Sequence, residues 1–566
     1  MGLRDALPTS LSDALDLRTQ RTLGLAALTG ALTGAGVAGF EWITYSQVFE
    51  RLLERGIVVQ AVALVVGLVL AALALWFVGG RASPSTADEY ISNFHDRSRP
   101  LALKPVVGRM LAGAATLGSG GSLGFEGPSL YLGAAVGTGI QHRWQRWFTR
   151  TDRKVLMVAG AAAGVAAIFK APATGAIFAL EVPYRDDTAR HMLLPALIGA
   201  ATGYLAFVAL LGTEPLFVVD GSPPFDLKEL GGAAVLGLVC GLGARAYAAL
   251  ITHAKALANR GHPVVRIGAA GAALAGLLVA STLIFGEGLS SGSGYRTLQW
   301  VTEPGHSVAL VLALLAFRVA ATSVTLAGGG VGGLFVPLVI AGALIGDAGA
   351  LVIGDSTNLF PLIGIAAFLG AGYRTPLAGV VFVAEATGRP GFIVPGLIAS
   401  VAAQLVMGDV SVSPYQRAGR RGHLEQRLTL PVSAAIRGDV LTVPPDASLQ
   451  ELYDHHLLLV RETSVPVVEG AHYRGMVSSD DLREHLPSTW ADIAVAEVLH
   501  AEWPVAGPAW TLEDAMRAMD TADVEVLPVL DDAGSFVGVV SSADIVRLDA
   551  ILETTEERSD NGPPPP

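Results

Sequence analysis

The sequence is poor in cysteine and in charge. Cys240 is the one cysteine among 566 residues, which excludes an internal disulfide and a cysteine-ligated metal cluster. Charged residues make up 16% of the chain, against about 25% in soluble domains. Neither a nucleophile elbow nor a phosphate-binding loop motif occurs, so we predict no catalytic residue, no metal site and no enzyme activity. The charge pattern also gives no reason to expect nucleic acid as a partner.

Apolar residues and glycine are abundant instead. Hydrophobic residues account for 51% of the chain, glycine occurs 67 times, and the mean hydropathy is +0.51. Glycine allows helices to pack closely in lipid, and a run of about 20 apolar residues crosses a hydrocarbon core of roughly 30 Å. We therefore predict a polytopic membrane protein surrounded by lipid. The predicted spans are residues 22–48, 57–78, 192–212, 230–257, 265–285 and 308–326. The apolar runs 359–386 and 392–407 complete the hydrophobic part.

Basic residues next to the apolar runs indicate the orientation. Arg18 and Arg21 flank the first run, and residues 142–154 carry five Lys or Arg. Because cytoplasmic loops are enriched in such residues, we expect residues 1–20 to form a cytoplasmic N-terminal segment. We expect the protein in the cell (inner) membrane.

One acidic residue stands out within an apolar, glycine-rich stretch. Residues 118–137, GSGGSLGFEGPSLYLGAAVG, place Glu126 between glycines and shortly before Pro128. Proline fits the first turn of a helix, so we predict a helix over residues 129–139. A helix that begins inside a membrane presents a partial positive charge and favours an anion. Glu126 is thus predicted to compete with a permeant anion; the alternative is a glutamate that only caps a helix.

The apolar part of the chain is duplicated. Residues 169–181, FKAPATGAIFALE, match residues 373–385, YRTPLAGVVFVAE, at a spacing of 373 − 169 = 204. The stretch after Glu126 has its own counterpart: Pro128 matches Pro337 at a spacing of 337 − 128 = 209. Two halves with broken helices in corresponding positions are typical of transporters built from inverted repeats.

A second duplication lies in the polar C-terminal part. Residues 464–482 resemble residues 525–545, and each unit has the pattern of a helix, two short strands and a helix. Ser478 and Asp481 recur as Ser541 and Asp544, both 541 − 478 = 63 positions later. Residues 553–566 are polar and proline-rich, so we expect a disordered tail.

These motifs together resemble a known family. GFEGP at 124–128, GLFVP at 333–337 and Tyr415 after Pro414 resemble the anion-site signatures of the CLC chloride channels and transporters. The units at about 430–486 and 491–549 resemble a pair of CBS domains. The resemblance implies a helical membrane domain over residues 21–427, made of two inverted repeats with broken helices. It also implies a cytoplasmic α/β tandem CBS domain over 428–552, chloride as the permeant ion, and a homodimer with one pore per subunit.

The resemblance also assigns roles to residues. Glu126 resembles the gating glutamate, the backbone amides of Leu334 and Phe335 resemble those that face the anion, and Tyr415 resembles the tyrosine that coordinates it from the inner side. The family's glycine-containing loop is replaced by residues 84–88, PSTAD, where Ser85 is the expected pore hydroxyl and Thr86 the alternative. The expected anion-binding residues are Ser85, Gly124, Phe125, Gly127, Gly333, Leu334, Phe335 and Tyr415.

Three further positions bear on proton coupling. Lys170 stands where the family often has Asn, and Glu181 is followed by Val182 where the resembling antiporters have a second glutamate. Because Val182 has no titratable group, the sequence favours a passive, pH-gated chloride channel, with a chloride/proton antiporter as the alternative. A cation or organic-solute transporter would explain the repeats but not the helix N-termini at the breaks. No cofactor is expected, although Ser478, Asp481, Ser541 and Asp544 have the spacing of adenine-nucleotide contacts in CBS domains.

Overall fold

The computed structural model describes residues 17–96, 101–148, 154–213, 227–355, 359–419, 428–457 and 463–559. The chain forms two compact units, Met1–Arg420 and Arg421–Pro566. Most of the expected N-terminal segment (1–16), the expected domain boundary near 427 and the last seven residues (560–566) lie outside the described residues.

The first half of the membrane unit contains eight α-helices. The first helix is lengthened by π-helical turns at Trp42–Phe49 and a last turn at Glu50–Leu53. The helices are α1 Leu17–Glu41, α2 Ile57–Leu73, α3 Ala87–His95, α4 Leu103–Gly118, α5 Glu126–Arg143, α6 Val155–Phe169, α7 Pro172–Glu181 and α8 Leu193–Leu211.

The second half repeats this series. Its helices are α9 Leu227–Leu257, α10 Pro263–Phe285, α11 Tyr295–Thr302, α12 Val308–Ala327, α13 Phe335–Ile353, α14 Leu359–Tyr373, α15 Pro376–Thr387 and α16 Ile393–Met407. Eight of the described helices, some with their extensions, are long and apolar enough to cross a membrane. The predicted polytopic helical fold with broken helices is confirmed.

Reciprocal hydrogen bonds join the two halves. The Thr116 hydroxyl accepts from the N–H of Val331 at 3.0 Å, and the Thr325 hydroxyl accepts from the N–H of Ser122 at 3.2 Å. These two contacts exchange under the 209-residue spacing, since 325 − 116 and 331 − 122 are both 209. A pair of contacts that exchanges in this way is expected from a local two-fold axis between inverted repeats.

Two glutamates form a second reciprocal pair. The Glu181 carboxylate accepts from the N–H of Ala378 at 2.8 Å, in the first turn of α15. The Glu385 carboxylate accepts from the N–H of Thr174 at 2.7 Å, in the first turn of α7. Each half therefore caps a helix of the other half, where unpaired N–H groups and the helix dipole stabilise a negative charge.

The apolar run over 359–386 is divided into two helices, α14 and α15. Arg374 has φ 55, in the left-handed region, and Pro376 begins the next helix. Lys170, with φ 54, and Pro172 make the corresponding break in the first half. Proline lacks the N–H that a continuous helix needs and disfavours helical geometry in the preceding residue.

The helix expected over 129–139 is longer at both ends. Helix α5 begins at Glu126 and ends at Arg143, so Glu126 is part of the first helical turn rather than of the preceding loop. A helical hydrogen bond in this turn runs from the N–H of Ser129 to the carbonyl of Phe125 at 3.1 Å. The carboxylate is thus held at the N-terminus of its own helix.

The C-terminal unit contains two copies of a small α/β motif. The first copy has α17 Leu449–Leu452, antiparallel strands β1 Ser464–Glu469 and β2 His472–Ser478, and α18 Ser479–Arg483; the second has α19 Leu512–Ala522, antiparallel strands β3 Val526–Leu530 and β4 Phe536–Ser541, and α20 Ser542–Ser559. Each copy has its own apolar core. Helix α20 continues past residue 552, so residues 553–559 of the expected disordered tail are helical: the helix that starts after β4 meets no proline or glycine before residue 560.

Close packing of α5 on α6 depends on glycine. A Cβ atom added at Gly133 would lie 1.9 Å from the carbonyl oxygen of Gly160, which is backbone and cannot move aside. Gly139 lies on the same helix with nothing within 4 Å of an added Cβ atom. Substitution of alanine at Gly133 therefore tests packing, whereas the same substitution at Gly139 tests helix propensity alone.

We expect Gly133→Ala to lower the melting temperature of the purified protein in detergent by several degrees, because α5 must move away from α6. Gly139→Ala is the matched control and should leave the temperature unchanged or raise it, since alanine favours helix by roughly 1 kcal/mol. Differential scanning fluorimetry checks both variants. Equal melting temperatures for the two variants would contradict the packing argument.

Candidate anion site

The centre of the site is a backbone bridge between the two halves. Gly124 N–H donates to the carbonyl of Gly333 at 2.9 Å, and Gly333 N–H donates to the carbonyl of Gly124 at 2.8 Å. These positions are also 333 − 124 = 209 residues apart. The bridge brings the N-termini of α5 and α13 together, so the partial positive charges of two helices meet at one place.

Glu126 fills the space between these helix ends. Its side chain is 2% exposed, and Oε1 accepts from the N–H of Phe335 at 2.5 Å. Added Cβ atoms would lie 1.8 Å from Oε2 at Gly124 and 2.1 Å from Oε1 at Gly333. At Gly333 the added atom would also lie 2.5 Å from the backbone nitrogen of Gly127, so glycine is required there. The carboxylate occupies an amide that the sequence assigned to the anion.

A cavity opens on one side of this bridge. It has a volume of about 430 Å³. Its wall includes four of the predicted anion-binding residues, namely Ser85, Gly333, Leu334 and Tyr415. Gly124, Phe125, Gly127 and Phe335 lie behind this wall, next to Glu126 or its helix.

Thr86, rather than Ser85, contacts the glycine loops directly. Its hydroxyl donates to the carbonyl of Gly332 at 3.3 Å, and a Cβ atom added at Gly127 would lie 2.5 Å from Thr86 Oγ1. Thr86 is 2% exposed, whereas Ser85 is partly exposed to the cavity. Both residues line the cavity, and Thr86 is the one whose hydroxyl is bonded to a glycine loop.

An arginine that sequence reasoning missed fixes the loop without glycines. Arg109 is 3% exposed; its Nε donates to the carbonyl of Ser83 at 3.0 Å and its Nη2 donates to the Ser83 hydroxyl at 2.9 Å. Nη2 also donates to Glu89 at 2.9 Å, and Nη1 donates to the Tyr131 hydroxyl. A buried guanidinium with several acceptors holds this loop in one conformation.

Two tyrosines line the cavity, and they differ in burial. Tyr415, the expected anion ligand, is 53% exposed. Tyr373, which the sequence analysis did not single out, is 2% exposed and ends α14 beside Leu334. The sequence signal for Tyr373 was its match to Phe169 in the duplicated stretch. Tyr373 has a hydroxyl that Phe169 lacks, and a buried hydroxyl needs a polar neighbour.

An ion pair stands at the same cavity. Lys255 Nζ donates to Asp88 Oδ2 at 2.6 Å and to the carbonyl of Val412 at 2.9 Å. Both side chains are on the cavity wall. Asp88 belongs to the PSTAD loop, so the pair ties this loop to α9.

The rings of Phe125 and Phe335 pack against other aromatic rings and so hold the backbone of the site in place. The Phe125 ring lies edge-on to Phe40 at 5.9 Å. Phe335 lies 4.3 Å from Phe169 and 5.0 Å from Phe382, measured between ring centroids. Their role is to fix the backbone that carries the N–H groups, not to contact an anion through the ring.

Comparisons with known proteins agree with this architecture. A model of the voltage gated chloride channel family matches residues 66–408, and the CBS domain model matches residues 432–488 and 495–550. The chain belongs to the CLC family. Its C-terminal unit is a pair of CBS domains.

Curated CLC relatives cover most of the membrane unit. The H(+)/Cl(-) exchange transporter ClcA of Vibrio vulnificus is 30% identical over 403 residues, 67% of this chain and 85% of the relative. The protein of the same name from Salmonella typhimurium is 26% identical over 406 residues, 68% of this chain and 85% of the relative.

Solved CLC structures share the fold. A CLC-type fluoride/proton antiporter has a TM-score of 0.61 at 23% identity, covering 71% of this chain and 98% of the other. A slow cyanobacterial Cl-/H+ antiporter has a TM-score of 0.59 at 21% identity, covering 68% and 94%. A eukaryotic CLC transporter has a TM-score of 0.59 at 17% identity and covers 93% and 98%. At these identities the likeness shows the fold alone.

Three residues of this CLC protein, Lys170, Glu181 and Val182, are the candidates for proton coupling. They lie apart from the hydrogen bond between Glu126 and Phe335. Glu181 faces the N-terminus of α15, as described above. Val182 is fully buried, and its carbonyl accepts from Gln416 Nε2 at 2.9 Å. Lys170 is partly buried, and its positive charge interacts favourably with the carboxylate of Glu41 at the end of α1.

Both Ser–Asp pairs of the CBS domains cap helices. Ser478 N–H and hydroxyl donate to Asp481 at 2.7 and 3.0 Å. Ser541 N–H and hydroxyl donate to Asp544 at 3.1 and 2.6 Å. Asp481 also contacts His500 Nε2 at 2.8 Å. These contacts account for the spacing by helix capping, and adenine-nucleotide binding stays a prediction.

We expect Lys170→Met to lower chloride flux in liposomes, because it leaves the Glu41 charge without its partner inside the membrane. Adding Glu41→Gln should restore part of the flux. Lys228→Met, at an exposed lysine near the start of α9, is the matched control and should leave flux unchanged. Wild-type flux in Lys170→Met would instead favour a lysine that extends to the membrane interface.

We expect Ser541→Ala to lower the unfolding free energy of the C-terminal unit by about 1 kcal/mol, because α20 loses its N-cap. Ser542→Ala, one residue later at an exposed helical position, should be neutral or slightly stabilising. Urea unfolding of residues 421–566, followed by circular dichroism, measures both. Equal losses in the two variants would contradict the capping role.

Proposed function

We propose that this protein exchanges chloride for protons across the membrane, and that Glu126 takes part in both movements. The observation that carries the proposal is the 2.5 Å hydrogen bond from Phe335 N–H to the Glu126 carboxylate. The same amide suits a chloride ion, since helix N-termini bind anions. Carboxylate and chloride therefore compete for one position, and the pathway is occupied by a titratable group.

The competition couples anion and proton. When chloride takes the Phe335 amide, the Glu126 carboxylate must leave it, and a buried charged carboxylate without these hydrogen bonds is costly. Proton uptake removes that cost and lets the side chain turn away. Loss of the proton returns the carboxylate to the amide and displaces the anion. Each cycle then moves chloride one way and a proton the other way.

The relatives support exchange over the passive channel that Val182 led us to expect. The curated relatives named above are H(+)/Cl(-) exchange transporters, and two of the solved neighbours are antiporters. Val182 supplies no proton, and the Glu181 carboxylate is engaged by α15. Exchange therefore requires a proton route to Glu126 that does not use these two side chains.

The assembly and its orientation are part of the proposal. The basic residues near Arg21 and in 142–154 support a cytoplasmic N-terminus and cytoplasmic CBS domains. The family resemblance supports a homodimer with one pore per subunit. Adenine nucleotide is the proposed ligand of the CBS pair.

We expect Glu126→Gln to abolish chloride-driven proton transport in liposomes while chloride still flows. Glutamine keeps the shape of the side chain but carries no titratable proton. Wild-type chloride flux should rise as the external pH falls, because protonation releases the carboxylate, whereas Glu126→Gln flux should not respond. Proton and chloride electrodes record both movements.

Glu303→Gln, at an exposed glutamate after α11, is the matched control and should keep coupled transport. Proton transport that persists in Glu126→Gln would overturn the assignment of Glu126. Sodium flux driven by a sodium gradient, with no chloride flux, would overturn anion transport as a whole.

A further inference from the structure

Tyr373 lies on the cavity side of the bridge between Gly124 and Gly333. Its side chain is 2% exposed, it lies on the cavity wall with Leu334, and its ring is edge-on to Phe178 at 5.3 Å between centroids. Leu334, whose backbone amide is a predicted anion ligand, and the charged side chain of Asp88 lie on the same cavity wall. The phenol thus lies between the cavity and the amides of the site.

Only one half of the duplication carries the hydroxyl. Tyr373 corresponds to Phe169 in the first half, since 373 − 169 = 204. The Phe169 ring packs on Phe335 and Phe382 and is not part of the cavity wall. The backbone and the aromatic ring are therefore repeated in both halves. The polar atom occurs only in the copy that reaches the cavity.

Burial separates this phenol from Tyr415. Tyr415 is 53% exposed, so an arriving ion only replaces water as the contact of its hydroxyl. A buried hydroxyl in a medium of low dielectric constant interacts more strongly with an anion. Tyr373 is also held by its neighbours on α14 and α7, so little side-chain entropy is lost on binding.

We propose that the Tyr373 hydroxyl and the Leu334 N–H together donate hydrogen bonds to the dehydrated anion, and that Tyr373, rather than Tyr415, determines the affinity of this site. The inference rests on the proposed function, because it names a ligand of the same anion site. The occupant is a small monovalent anion such as chloride. When the anion enters, both groups point their hydrogens at it.

Chloride titration of the purified full-length protein by isothermal calorimetry tests this. Tyr373→Phe should weaken chloride binding about tenfold, the loss expected for one hydrogen bond to a charged group. Tyr415→Phe should stay within about twofold of wild type. Tyr247→Phe removes another buried phenol that is not on the cavity wall, and should bind as wild type does.

A second readout separates a ligand from a residue that only shapes the site. Fluoride accepts stronger hydrogen bonds than chloride, so loss of a donor should weaken fluoride binding more than chloride binding in Tyr373→Phe. Melting temperatures within a few degrees of wild type establish that the variants are folded. An equal effect on both ions would contradict a hydrogen bond to the anion.

The outcomes also separate this inference from the proposed function. Wild-type affinity in Tyr373→Phe, or a large loss in Tyr415→Phe alone, overturns the assignment of Tyr373 and leaves exchange intact. A wild-type protein that binds no chloride overturns the anion site, and with it both proposals.

Discussion

The pairing of Gly124 with Gly333 is the contact on which the site depends. Two backbone hydrogen bonds hold the N-termini of α5 and α13 against each other, and a Cβ atom at Gly333 would lie 2.5 Å from the backbone nitrogen of Gly127. Two helix ends that would repel each other are stabilised by the negative charge between them. The fold therefore creates a place for an anion, and the chain supplies its own.

The backbone of the site is symmetric, but its chemistry is not. Glu126 corresponds to Phe335 at the same 209-residue spacing, since 335 − 126 = 209. The first half contributes a carboxylate, whereas the second contributes an N–H that bonds it and a ring that packs against Phe169. In the proposed exchange, this one titratable group on a two-fold frame couples a proton to an anion. A second carboxylate at this place would add repulsion within a few ångströms.

Sequence repeats predicted the architecture because each half repeats the same local signals. The spacings of 204 and 209 identified the broken helices and the positions of Glu126 and Leu334. The Arg109 contacts with Ser83 and Glu89 were not predictable, since they join residues that share no motif and meet only after folding. The same holds for the role of Tyr373 in the site, because that role depends on which side of the glycine bridge the cavity opens. The break at Arg374 lies within an apolar run, and Pro376, which matches Pro172 in the first half, marks it in the sequence.

The most direct measurement of coupling is the reversal potential of the protein in planar bilayers with symmetric chloride and a pH gradient. Exchange predicts a nonzero potential that moves with the proton gradient, because each chloride movement is tied to a proton movement. A potential that stays at zero over the full range of pH gradients would show passive conduction and contradict the account.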